Sequence, residues 1–242
     1  MRLYGKNPVL ERIKSDPGSI HKLYLQKKTD LSDIVNEVKR QGLSFESLDK
    51  SSFSRLSGDV NAQGVLAEVE EFKYMPFRDM LKEALEKKIV PVFLDGVTDP
   101  QNLGSIIRNL ACLGGFSLVL PEHRSACVNE TVLRVACGGE NYMMISMIKN
   151  TVNGVTEAKN MGFGVVGAVA ESGSDMLDAT IGFPLCVVIG SEGKGIRPGM
   201  LKHLDVGLSL PMRGAHLSYN VAVAASLFCY EINRRKWSEK KQ

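Results

Sequence analysis

From Ile89 onward the chain alternates short, uninterrupted apolar runs with segments of helical periodicity, and no other feature constrains its fold as strongly. A strand that is apolar at every position, rather than at every second one, needs cover on both faces. Residues 89–94, 116–120, 163–169, 185–190 and 206–210 read as such strands, with helices expected near 103–113, 127–137, 151–161, 197–204 and 218–235. The alternation predicts a doubly wound α/β fold: a parallel sheet with helices on both sides, whose ligands bind at the carboxyl edge of the strands. In the last helix Val221, Ala225, Phe228 and Ile232 recur at helical spacing, and Arg234, Arg235 and Lys236 suit the negative end of its dipole.

The preceding residues read differently. Asn7-Pro8 has the form of a helix cap followed by proline at the first helical position, predicting a short helix through Ile13. His21–Gln26 alternates like a strand. A helix is expected from Asp30, with Leu31, Ile34, Val35 and Val38 on one face and Gly42 as its stop. Val65–Val69 reads as a further strand, so residues 1–70 form a small α/β unit. Residues 71–88 are expected to be a linker carrying one helix, with Met80, Leu81, Ala84 and Leu85 on its apolar side, and residues 89–242 a second, larger domain.

Composition excludes several classes. The 242 residues are 44% hydrophobic and 24% charged, which disfavours disorder, collagen-like repeats and disulfide scaffolds. Apolar runs such as Ile89–Leu94 and Phe163–Ala170 fall short of the ~20 residues of a membrane helix, so cytoplasmic residence is expected. The five cysteines form no C-x-x-C pair and sit in apolar stretches, pointing to buried reduced thiols rather than a zinc ribbon or redox couple. The net charge is +3, and residues 1–60 hold 11 Lys/Arg against 8 Asp/Glu while the remainder is balanced at 19 and 19, so the basic surplus lies in the N-terminal part.

Three loops fall at the predicted carboxyl edge. The first, Asp95–Gly104, runs into a helix for which Asn102 is the expected cap and on which Arg108 can reach an anion near the helix start. The second, Gly190–Gly195, holds three glycines and permits close backbone approach to a ligand. It lacks the spacing of a P-loop, and no G-x-G-x-x-G opens the first strand-to-helix turn, which counts against nucleoside triphosphates and nicotinamide dinucleotides. The third, Leu210–Asn220, precedes the final helix, with Ser218 as expected cap and Asn220 in the first turn. His216 has no carboxylate nearby in sequence and reads as a loop residue rather than a base, and no nucleophile elbow is present.

Together, in this order, these loops resemble the three signature motifs of the SpoU (TrmH-like) branch of the SPOUT methyltransferase superfamily. Asn102-x-Gly104-x-x-x-Arg108 resembles the first, Ile189-Gly190-Ser191-Glu192-Gly193 the second, and Leu210-Pro211-Met212 with Ser218-Tyr219-Asn220-Val221 the third. Tyr4–Glu11 and Asn61–Val65 resemble the branch's N-terminal substrate-binding domain, similar to ribosomal protein L30e. Arg124-Ser125-Ala126 and Val135-Ala136-Cys137-Gly138 resemble bacterial members that methylate a guanosine ribose of large-subunit ribosomal RNA.

The resemblance implies a SPOUT-type parallel sheet with a C-terminal deep trefoil knot, a topology that general folding rules would not have suggested. It further implies a homodimer and S-adenosylmethionine-dependent 2′-O-ribose methylation of RNA, with 23S rRNA or a ribosome assembly intermediate as substrate. The alternatives are a tRNA ribose, or an inactive RNA-binding assembly factor that has kept the fold. Cofactor contacts carry over to Gly190, Leu210, Tyr219, Ala168 and Gly167, and the catalytic set to Arg108, Asn102, Ser218, Glu192 and Asn220, with no metal. Arginine stays charged in proteins, so Arg108 is expected to hold the substrate phosphate and hydroxyl and to stabilise developing alkoxide rather than act as a literal base. The chain departs from many relatives at Ser191, at Tyr219 and at Gly139-Glu140-Asn141.

Overall fold

The computed structural model describes residues 1–170, 172–214 and 217–239. Its N-terminal part comprises β1 (Arg2–Tyr4), α1 (Lys6–Ser15), β2 (Ile20–Gln26), α2 (Ser32–Arg40), β3 (Glu46–Leu48), α3 (Lys50–Ser57) and β4 (Val65–Val69). These strands form a mixed four-stranded sheet in the order β1-β4-β2-β3. Helix α1 starts one residue ahead of its expected cap. Gly5, at φ 97°, makes the turn out of β1, and Pro8 falls inside the first helical turn, where its missing N–H would have no partner in any case. Likewise α2 begins at Ser32, because Asp30 spends its carboxylate on the Ser32 amide and hydroxyl. The short elements β1, β3 and α3 carry too little periodicity to be read from sequence.

After α4 (Phe77–Glu86), the elements are β5 (Val90–Asp95), α5 (Pro100–Leu113), β6 (Phe116–Pro121), α6 (Glu130–Ala136), β7 (Ile145–Ile148), α7 (Thr151–Asn160), β8 (Gly164–Ala168), β9 (Ser174–Asp175), β10 (Leu185–Gly190), α8 (Pro198–Leu201), β11 (Val206–Ser209) and α9 (Val221–Glu239). Seven strands form one sheet in the order β7-β6-β5-β10-β8-β11-β9, and all its pairings are parallel. Strands β7 and β9 are additions to the five expected.

The uninterrupted apolar runs are explained by packing on both faces. All six residues of β5, β6 and β10 are buried. Val92, Leu94, Leu118 and Ile189 face α5, α6 and α9, whereas Phe93, Val119 and Val188 face α4, α7 and α8. The first of these cores is continuous with Leu3, Val9, Ile13 and Ile34 of the N-terminal part, which docks against the α5–α6 side. Helices α5 and α6 approach closely at Gly104, where a Cβ would lie 2.6 Å from the Val135 Cβ and 2.9 Å from the Val132 carbonyl. The expected inner face of α9 is buried: Val221, Ala225, Phe228 and Ile232 are each 5% exposed or less. Its opposite face is apolar too, since Val223, Leu227, Tyr230 and Trp237 are exposed.

The five thiols are free, but only Cys186 and Cys229 are buried. Cys112 and Cys127 are exposed and Cys137 is half-buried, which corrects the expectation of uniform burial. Burial pushes the Cys186 thiol up to about 12. No helix among the described residues is long and apolar enough to cross a membrane.

Candidate active site

Helix α5 is capped by Asp99, whose carboxylate accepts from the Gln101 amide at 2.9 Å, with Pro100 at the first helical position. Asn102 is therefore not the cap. It sits inside the first turn with its amide free to reach across to other loops. The loop after β10 folds back tightly through paired backbone hydrogen bonds between Ser191 and Gly195, at 3.1 and 2.9 Å. Gly193 and Gly195 hold positive φ there, and a Cβ on Gly190 would overlap the backbone of Gly195 and Ile196.

At the start of α9 it is Asn220, rather than Ser218, that takes the capping role, its Oδ1 accepting from the Ala222 amide at 2.9 Å. The Asn220 Nδ2 donates to Asn102 Oδ1 at 2.9 Å and to Glu192 Oε1 at 2.6 Å. Asn102 Nδ2 in turn donates to Glu192 Oε2 at 3.3 Å, and the Val221 amide donates to Glu192 Oε1 at 3.4 Å. One carboxylate and two carboxamides thus tie the three loops together, with the negative charge at the positive end of the last helix.

This tie borders an open cleft of about 760 Å³ at the carboxyl ends of β8, β10 and β11. Ala168, Gly190, Glu192, Leu210, Ser218 and Tyr219 line it, and Ile189, Val221, Ala224 and Phe228 add an apolar wall. Gly167 does not join them: its missing side chain faces Leu204 and Ile196, and a Cβ would collide with Leu204. Arg108 also stands apart from the cleft lining. It is exposed on α5, with Nη1 3.6 Å from Cys137 Sγ at the end of α6. Gly139 packs on the Arg108 backbone, where a Cβ would lie 3.1 Å from the Arg108 Cα. His216 lies outside the described residues.

One constellation escaped the sequence reading. Asp95, the last residue of β5, has a fully buried side chain and accepts from the Arg197 backbone at 3.0 Å, Nε at 2.8 Å and Nη2 at 2.5 Å. Arg197 Nη2 also donates to Thr151 Oγ1 at 3.0 Å, and the carboxylate holds the guanidinium pKa above its ordinary value. An acidic residue ending an all-apolar strand was the available signal, because a buried carboxylate requires a partner.

The model of the SpoU rRNA methylase family matches residues 90–230, and that of an RNA 2′-O ribose methyltransferase substrate-binding domain matches residues 2–75. YacO of Bacillus subtilis (strain 168), described as a TrmH family tRNA/rRNA methyltransferase, is 32% identical over 237 residues, covering 96% of this chain and 94% of its own. The SpoU methyltransferase AviRb from Streptomyces viridochromogenes, solved with AdoMet, superposes with a TM-score of 0.80 at 23% identity, over 98% of this chain and 91% of that one. An AdoMet-bound rRNA methyltransferase from Sinorhizobium meliloti does so with a TM-score of 0.78 at 21% identity, over 97% and 87%. These structures share the fold, and the match to the family model spans all three tied loops: the chain belongs to the SpoU rRNA methylase family.

Proposed function

We propose that the chain transfers the methyl group of S-adenosylmethionine to a ribose 2′-hydroxyl of RNA, with a guanosine of 23S rRNA as substrate and a tRNA ribose as the alternative. The observation that carries this reading is the Asn102–Glu192–Asn220 tie at the mouth of a cleft lined by Gly190, Leu210 and Tyr219. Gly190 lets the loop close on the Gly195–Ile196 backbone, and the apolar wall of Ile189 and Phe228 beside it suits the flat face of a heterocycle. Bound there, the cofactor supplies an electrophilic methyl. The rest is alignment of the hydroxyl and removal of its proton. Ser218 and Tyr219 form part of the wall facing the cofactor, while Glu192 and Asn220 hold the loops in register. To Arg108, exposed and outside the cleft lining, this reading assigns the substrate phosphate and the developing alkoxide, the proton passing to phosphate or water.

The same reading assigns RNA binding to residues 1–70, a linker to 71–88 and catalysis to 89–242, with a deep trefoil knot around the loops that form the cleft. It also assigns a homodimer. Val223, Leu227, Tyr230 and Trp237 give α9 a second apolar face that the described residues do not cover, and a second copy would bury it. An RNA substrate places the enzyme in the cytoplasm.

The test is transfer of labelled methyl from S-adenosylmethionine to undermodified ribosomal RNA and, separately, to tRNA, followed by nucleoside analysis. A 2′-O-methylguanosine confined to large-subunit RNA supports the reading in full, and label in tRNA moves the substrate. Cofactor binding without label in either RNA overturns the assigned substrates.

A further inference from the structure

A second cleft opens at the carboxyl edge of the same sheet, on the other side of β5, at the ends of β6 and β7 and the start of α7. It is larger than the first, at about 1060 Å³, and its chemistry is different. His123, Arg124, Lys149 and Arg197 line it together with Asn150 and Thr151, and no lining residue is acidic. Among the described residues, Arg197 alone of the charged lining groups has a carboxylate partner, Asp95, which lies beneath the cleft and is fully buried. That pairing holds one edge of the guanidinium in place through Nε and Nη2. Arg124 and Lys149 are exposed, and neither makes a hydrogen bond or ion pair with another described residue. Arg124 also holds a left-handed backbone, φ 58°.

Cations left unpaired around a concave site, with one guanidinium pre-oriented by a buried carboxylate, suit an anion bearing several acceptor oxygens. We propose that this cleft binds a backbone phosphate of the RNA substrate through Arg124, Lys149 and Arg197. The inference rests on the methyltransferase reading for the identity of the RNA, and the geometry supplies the phosphate. The loop from Gly190 to Arg197 joins the two clefts, since Gly190–Gly195 lines the cofactor side while Arg197 faces the cationic side. An RNA strand held by Arg197 is therefore anchored one loop away from the cofactor cleft.

The test compares the full-length protein with Lys149→Ala, Arg124→Ala and the double variant, using a fluorescein-labelled fragment of large-subunit rRNA and anisotropy over a series of KCl concentrations. The slope of log K against log salt is expected to shallow by about 1 for each cation removed, with affinity falling roughly tenfold in the double variant. In methyl transfer, KM for RNA should rise while kcat and cofactor affinity hold. Unchanged slope and affinity in the double variant, alongside intact methyl transfer by the wild type, overturn the proposal and leave the methyltransferase reading standing. Wild-type protein that transfers no methyl, yet binds RNA through these cations, overturns that reading and leaves the cleft assignment. Calorimetry with inorganic phosphate separates the remaining source: phosphate binding lost in the double variant while RNA binding is unaffected marks a site for a small free anion and overturns the RNA assignment.

Discussion

Arg12 Nη2 and Glu140 Oε1 meet at 3.1 Å between α1 and the turn Gly139–Tyr142, with side-chain exposures of 7% and 0%. The pair joins the N-terminal part to the segment packed on Arg108. It is only half satisfied, because Arg12 Nε and Glu140 Oε2 are buried with no hydrogen-bond partner among the described residues. Glu140→Ala leaves a buried guanidinium with Asp16, 3.8 Å away at the surface, as its remaining carboxylate. Removing one member of a buried pair costs about 3 kcal/mol, so urea denaturation should show a loss of that order. A loss below about 1 kcal/mol would mean that solvent reaches the pair.

The same glutamate sets a pH dependence. Burial pushes its carboxyl above the ordinary 4.5 despite the facing guanidinium. Between 4.5 and the raised value the folded state holds a proton that the unfolded state has released, so Glu140's contribution is full below 4.5 and is lost as pH rises through its folded pKa. Thermal unfolding across that range should show wild type losing stability relative to Glu140→Gln as pH increases. A difference that is flat or of opposite slope contradicts the assignment.

Glu192→Ala removes the acceptor shared by Asn102, Asn220 and the Val221 amide. The loops lose their common tie while the sheet beneath is untouched. Calorimetry should give cofactor affinity reduced about tenfold, or ~1.4 kcal/mol, with an unchanged circular dichroism spectrum. Wild-type affinity would separate the tie from the cleft.

Arg108→Lys keeps the charge and loses the planar fork. If two-point contact with phosphate and alkoxide is the role of this residue, kcat should fall about a hundredfold with cofactor binding intact. Near-normal turnover would reduce Arg108 to a point charge.

Leu227→Glu places a carboxylate in the exposed apolar face of α9. Light scattering should then report the 26.5 kDa of one chain, against twice that mass for the wild type. A wild type already at the single-chain mass would dismiss the dimer.

The five central strands could be located within a residue or two, because unbroken apolar runs have one physical explanation, burial on both faces. Strand β7 escaped because it is only four residues long and carries Ser146 within them, too short a run to stand out; the serine is buried, its hydroxyl donating to the Met75 carbonyl. Cap positions went to the wrong residue three times, the first at α1, where Gly5 stands in the place expected of Asn7. Asp99-Pro100 outcompetes Asn102 because proline fits only the first helical turn, and Asn220 displaces Ser218 two residues later than expected. Exposure of Cys112 and Cys127 was hidden, since apolar neighbours in sequence do not say which face a side chain takes. The tie was beyond spacing arguments altogether: Asn102 and Glu192 are 90 residues apart, and Asn102 and Asn220 are 118 apart. Motif resemblance alone placed them together. Asp95 and Arg197, 102 residues apart and outside those motifs, had no such help.

The last helix completes the site twice over, with Asn220 closing the tie and Val221, Ala224 and Phe228 walling the cleft. Because Val221, Ala225 and Phe228 belong to the same core as Val187 and Ile189 of β10, the cleft wall and the cover over that face of the sheet form in one step: a molecule in which α9 has come away loses both together.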